Sequence, residues 1–197
     1  MADAAPNFDE RWTYRDYKNW PDDERWELID GVAYLMGAPT VRHQRIVGDI
    51  YLSLRLFLEG KPCEAFLSPF DVLSLAPGEE EEDDCSTVVQ PDILVMCDKS
   101  GLNDKNLHGL PEVIVEVLSP STSRKDQHEK FSLYEMRGVR EYWIVEPEAL
   151  WLCLYARDGQ GKLREKGLRE KLGDMTQIAS SYLPGFVLDP TKLFASS

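Results

Sequence analysis

No apolar run in this 197-residue chain reaches the ~18 residues that a membrane-spanning helix needs, so no bilayer anchor is expected. Residues 1–10 contain no basic segment followed by an apolar stretch, and no secretory leader is expected there. Cysteine is scarce, with only Cys63, Cys85, Cys97 and Cys153. No two of them form a C-x-x-C pair, and none stands near a histidine at zinc-finger spacing. Four reduced thiols are therefore expected, with Cys97 and Cys153 acting as small hydrophobes inside apolar runs. Positive charge is also in short supply: 22 Lys and Arg face 35 Asp and Glu, for a net charge of −13. That balance argues against a broad nonspecific nucleic-acid surface, although a local basic groove is compatible with it. Internal repeats, linkers and low-complexity tails are absent. These absences leave one cytoplasmic domain, 1–197, as the expectation.

The chain is 43% hydrophobic and 29% charged, a composition that supports a substantial core. Thr13 with Asp16 predicts a capped short helix over 14–20. Asp30-Gly31 between two apolar runs predicts a hairpin. Thr40 opens a long helix whose apolar positions Ile46, Val47, Ile50, Leu54 and Leu58 follow 3.6-residue spacing, and Gly60 ends it. Strands are expected at 63–67 and 70–75. Next comes a run of six acids, 79–84, read as a solvated loop. A Ser/Thr-rich turn with Ser123 and Asp126 predicts the cap of a second helix over 124–137, closed by Gly138. Strands then follow at 140–146 and 150–155. The order of elements predicts a mixed sheet covered by a helix on each face.

Two carboxylates stand out within this pattern. Asp92 lies in Val88-Val89-Gln90-Pro91-Asp92-Ile93-Leu94-Val95-Met96, and Glu116 lies in Glu112-Val113-Ile114-Val115-Glu116-Val117-Leu118. Both runs read as buried strands, where an ionised carboxylate is costly unless it is paired, protonated or bound to a cation. Adjacent strands would bring the two acids together as hard oxygen ligands for Mg²⁺, with Mn²⁺ as the alternative ion. The carbonyl of Val117 would add a third ligand. A metal held there would serve hydrolysis of a phosphodiester. The plain alternative is that each acid faces solvent from an edge strand.

These stretches carry a resemblance. Pro91-Asp92 followed by Glu116-Val-Leu-Ser resembles the signature of the PD-(D/E)XK nuclease superfamily. Within it, the chain is similar to the Uma2 family of restriction-endonuclease-like proteins, through Glu27-Leu-Ile-Asp-Gly-Val, His43 and Gln90-Pro-Asp-Ile-Leu-Val. The similarity continues through Pro111-Glu-Val-Ile-Val-Glu-Val-Leu-Ser-Pro-Ser-Thr, Asp126, Lys130, Tyr134 and Gly138-Val-Arg-Glu-Tyr-Trp-Ile-Val. The resemblance implies an α/β, restriction-endonuclease-like core over about 25–147. Its mixed sheet has helices on both faces and extra N- and C-terminal hairpins, with a β extension over 148–197. It implies that Asp92 and Glu116 hold a divalent metal and that Glu27 is a further acid at the site.

One departure bears on catalysis. The superfamily's lysine stands two residues after the second acid, on the same strand face, and that position here is Leu118. Lys130, on the helix after the Glu116 strand, is the substitute that the resemblance suggests. The alternative for Lys130 is an ordinary helix pair with Asp126. His43, on the first turn of the long helix, would relay a proton or orient Glu27, or else make a helix-end hydrogen bond. Arg42, Arg124 and Lys125 are the candidate DNA contacts, the last two at a helix start that also favours phosphate. The expectation is thus a Mg²⁺-dependent DNA endonuclease, cytoplasmic, without membrane association, and working as a homodimer. The competing expectations are an inactive nuclease-fold binding module and a hydrolase of smaller phosphate esters.

Overall fold

The computed structural model describes residues 10–21, 23–119, 126–166, 170–171, 177–189 and 193. Within them, no helix is long and apolar enough to cross a membrane.

A short helix, α1 (Tyr14–Tyr17), opens the described chain, and its Thr13–Asp16 capping box is formed. The hairpin of β1 (Trp26–Ile29) and β2 (Val32–Leu35) turns at Asp30 and Gly31. Their φ values are 48° and 79°, the pair of positive angles that a two-residue hairpin turn requires. Helix α2 (Val41–Leu58) begins where the Thr40 side chain accepts the His43 N–H at 3.1 Å. Ile46, Val47, Ile50, Leu54 and Leu58 form its buried stripe, as their spacing predicts.

Then come β3 (Glu64–Leu67), β4 (Asp71–Leu73), β5 (Val88–Val89), β6 (Ile93–Met96), β7 (Asn106–His108) and β8 (Val113–Val117). A π-helical turn over Asp126–Lys130 leads into α3 (Phe131–Arg137). Gly138 ends α3 at φ 97°. Strands β9 (Glu141–Glu146), β10 (Trp151–Arg157), β11 (Leu163–Glu165) and β12 (Glu170–Lys171) follow, and β13 (Ile178–Ala179) pairs with β14 (Val187–Leu188).

The central sheet has the order β11-β10-β9-β8-β6-β3, with β12 also on β10. Its β8–β9 pair is parallel and its other pairs are antiparallel, so the sheet is mixed, as the sequence suggests. Alternation along β8 sends Val113, Val115 and Val117 toward α2, and Ile114 and Leu118 toward α3. Each face of the sheet thus has its helix.

The chain also builds a second sheet, β2-β1-β5-β4-β7. Ile29, Val72, Val89 and Leu107 of that sheet share a core with Leu94, Met96 and Ile114 of the central one. The same packing turns Glu27, two residues before Ile29, toward the central sheet.

Two expectations need correction. Cys63 and Cys97 form a disulfide, while Cys85 and Cys153 are free and buried. The bridge follows from register: Glu64 pairs with Met96 across β3 and β6, so the next positions outward face each other. The acidic run is not simply solvated. Glu79 accepts the N–H groups of Ala76 and Ser86, Asp83 pairs with Lys18, and Glu82 pairs with His108. Its charges tie the run to the end of α1 and to β7 of the second sheet.

Candidate active site

The β6–β8 ladder ends at the pair Ile93–Val115. One step beyond, Asp92 faces Glu116, and the carboxylates take over the strand donors. Val117 N–H donates to Asp92 Oδ2 at 2.8 Å, and Asp92 N–H lies 3.4 Å from Glu116 Oε2. Each acid therefore reaches across to the other strand's backbone. This reciprocity needs no sequence motif. It follows from two strands parting at a point where both carry an acid. Leu118 N–H returns to Val145 O in β9 at 2.7 Å, so the Val117 backbone faces the opposite edge, toward Asp92.

Glu116 shares its face of β8 with Ile114 and Leu118, and so meets the helix side. Lys130, Leu133 and Tyr134 form one buried stripe there, at spacings of three and four residues. That stripe aims Lys130 at the sheet. Its ammonium lies 2.7 Å from Glu116 Oε1 and 2.8 Å from Glu27 Oε1. All three side chains are almost wholly buried, at 2%, 4% and 0% exposure for Lys130, Glu116 and Glu27. A buried ammonium between two carboxylates is a paired charge, which is the form in which burial is tolerated. Tyr134 Oη also donates to Glu116 Oε1 at 3.0 Å, and burial holds this phenol well above its ordinary pKa. Glu27 Oε1 further accepts Gln90 N–H at 2.8 Å.

His43 heads the buried stripe of α2, so its imidazole points at the sheet. Nε2 lies 3.2 Å from Asp92 Oδ2. Its partner at ion-pair distance is Asp92, where the sequence suggested Glu27. Asp92, Glu116, Val117, Lys130, His43 and Arg25 line one cleft of about 130 Å³.

The structure thus brings five expected residues and the Val117 backbone into one cluster. Arg42 does not join it. It sits one position before His43, off the stripe, and pairs with Glu148 at 3.6 Å. Arg124 and Lys125 lie outside the described residues, as does the Ser123 cap. Among the described residues, no three His, Cys, Asp or Glu side chains form a ready metal cage. Sequence reasoning missed Arg25 and Ser68 as cleft residues and Gln90 as their brace. The only available signal for Gln90 was its place in Gln90-Pro-Asp. Tyr134 stood among the resembling positions without a role.

A mixed sheet with a helix on each face and acids where two central strands part is a restriction-endonuclease-like fold. The chain belongs to the Uma2 family, whose model, described as "Putative restriction endonuclease", matches residues 14–191. Among solved structures it is similar to that of a "putative nuclease belonging to DUF820" from Anabaena variabilis. That likeness has a TM-score of 0.71 at 17% identity, over 93% of this chain and 97% of the other, and it speaks for the fold. One uncharacterized protein of Synechocystis is 27% identical over 149 residues, covering 74% of each chain. A second is 24% identical over 163 residues, covering 81% of this chain and 86% of the other.

Proposed function

We propose that this protein is a divalent-metal-dependent endonuclease that hydrolyses phosphodiester bonds in DNA. The observation that carries the reading is the convergence of Asp92 and Glu116 at the parted ends of β6 and β8, with the Lys130 ammonium 2.7 Å from Glu116. Family membership supports the same chemistry.

The donor set fits Mg²⁺, which takes one or two carboxylates and keeps several waters, so a closed protein cage is not required. Among the described residues, Asp92 Oδ1 has no hydrogen-bond partner, and its side chain is 18% exposed in the cleft. Asp92, Glu116 and the Val117 carbonyl would hold the ion, with Mn²⁺ as the alternative. The ion supplies charge neutralisation at the phosphate and an acidified water.

The chain's own residues do the rest. Lys130 supplies the positive charge that the motif position, now Leu118, does not. Glu27 holds the Lys130 ammonium beside Glu116. His43 steadies the Asp92 carboxylate from the α2 side.

Nicking of supercoiled plasmid in Mg²⁺ or Mn²⁺ tests this reading. Wild type is expected to nick, and Asp92→Ala to fall to background with an unchanged circular dichroism spectrum. Cutting retained in that variant would overturn the assignment. Calorimetry that finds no metal binding at millimolar concentration would favour a nuclease fold that binds without cutting.

A further inference from the structure

Two Lys or Arg side chains line the cleft among the described residues, Lys130 and Arg25. The Lys130 ammonium is already engaged by Glu27 and Glu116. A polyanionic substrate entering beside Asp92 and Glu116 needs a cation not matched in this way. Arg25 meets that need. Among the described residues its guanidinium donates only to neutral groups. Nε and Nη2 donate to Gln90 Oε1 at 3.1 and 2.6 Å, and Nη2 donates to Ser68 Oγ at 2.6 Å. A guanidinium has five N–H donors, and these three bonds leave both donors of Nη1.

The brace behind Arg25 is itself fixed. Gln90 Nε2 donates to Tyr17 Oη at 3.0 Å and to Asp71 Oδ1 at 2.8 Å. Those acceptors decide which end of the amide faces Arg25. Ser68 N–H donates to the Asp92 carbonyl at 3.1 Å, which ties the same brace to the backbone of Asp92. A guanidinium fork held in place before the substrate arrives loses little freedom on gripping a phosphate.

We infer that Arg25 grips a backbone phosphate of the bound nucleic acid and that Gln90 is its positioning residue. The inference rests on the nuclease reading and deepens it. Gln90-Pro-Asp then carries two tasks in three residues: the first side chain sets the phosphate grip, and the third sets the metal ligand.

The test measures binding of a fluorescent DNA duplex by anisotropy, with Ca²⁺ in place of Mg²⁺, alongside plasmid nicking by wild type and calorimetry of Mn²⁺. Arg25→Ala is expected to bind DNA about 10- to 100-fold more weakly, the scale of charge-assisted hydrogen bonds, with metal affinity unchanged. Its salt dependence should fall by about one phosphate contact. Arg25→Lys should recover only part of the loss, since it keeps the charge without the fork. Gln90→Ala should weaken binding comparably, and the double variant should be no worse than Arg25→Ala.

If wild type nicks and Arg25→Ala binds equally well, the inference is overturned and the nuclease reading stands. If wild type never nicks but Arg25→Ala still loses binding, the phosphate grip stands and the nuclease reading fails. If wild type binds no DNA, both fall. A Gln90→Ala variant that loses thermal stability but keeps DNA affinity removes the positioning role.

Discussion

Lys130 Nζ lies 2.7 Å from Glu116 Oε1, although the two residues sit on different elements and are 14 positions apart. The PD-(D/E)XK signature puts a lysine two residues after the second acid, where this chain has Leu118; here an ammonium reaches Glu116 from the turn that leads into α3. Lys130→Met takes from Glu27 and Glu116 the ammonium that stands 2.8 and 2.7 Å from them. Breaking a buried pair in this way costs about 3–5 kcal/mol, which urea unfolding would read. Nicking per folded molecule should fall about 10²–10³-fold, the scale of losing one electrostatic stabiliser. Added Mn²⁺ should restore part of the stability, because a cation bound to the folded state alone stabilises it. Unchanged stability in this variant would show that the ammonium is not the counter-charge.

Leu118 is the converse case. It is 2% exposed and packs in one core with Leu133, Tyr134 and Ile144. Leu118→Ala should cost about 2–5 kcal/mol while leaving nicking per folded molecule near wild type. Leu118→Lys in the Lys130→Met background should not restore nicking, since the helix packs where the strand lysine would reach. Recovery of nicking there would show that the two positions are interchangeable.

His43 and Lys130 were legible as candidates through the resemblance alone, with a helix-end hydrogen bond and an Asp126 pair as the alternatives; the structure puts each at the head of a buried stripe. Asp92 and Glu116 were legible as acids inside apolar strands. Glu27 was not legible from its own strand, because its facing depends on pairings between distant segments, such as Leu28 with Val88. The Cys63–Cys97 bridge was hidden for the same reason: it needs the β3–β6 register. The acidic run misled because its partners, Lys18 and His108, lie far away in the chain. Glu141, in the specific Gly138-Val-Arg-Glu-Tyr-Trp block, accepts Trp143 Nε1 at 2.6 Å and Ser180 Oγ at 2.8 Å. It also accepts the N–H groups of Ser181 and Tyr182 at 2.6 and 3.0 Å, so that block anchors the segment at 180–182.

The two contacts of His43 can be separated by mutation. The Thr40 cap uses the His43 backbone N–H, whereas the imidazole faces Asp92 at 3.2 Å. His43→Ala should therefore keep α2 intact by circular dichroism and lower nicking about 10²-fold, in the range for losing a positioned proton-handling side chain. Metal affinity should change with it, since Asp92 loses its support. Full nicking activity in a folded His43→Ala protein would reduce the imidazole to packing.

Asp71 gives the pH test. Burial raises its carboxyl above the ordinary carboxylate pKa, against the lowering by hydrogen bonds from Gln90 and Tyr17. The folded protein therefore keeps a proton on Asp71 at pH values where the unfolded chain has released it. Stability must fall as pH rises from the ordinary carboxylate value through the raised one. Asp71→Asn removes the buried charge and keeps Oδ1 as the acceptor for both Gln90 Nε2 and Tyr17 Oη. The variant should be more stable than wild type at pH 7, and the gap should close below the ordinary carboxylate range. Urea midpoints measured across that range would check it, and a gap that does not change with pH would rule the mechanism out. Asp71 also faces Arg25 electrostatically, so the neutral variant leaves more of the arginine's field for a phosphate. DNA affinity at low salt should therefore rise in Asp71→Asn, the opposite of what damage to the Gln90 brace would produce.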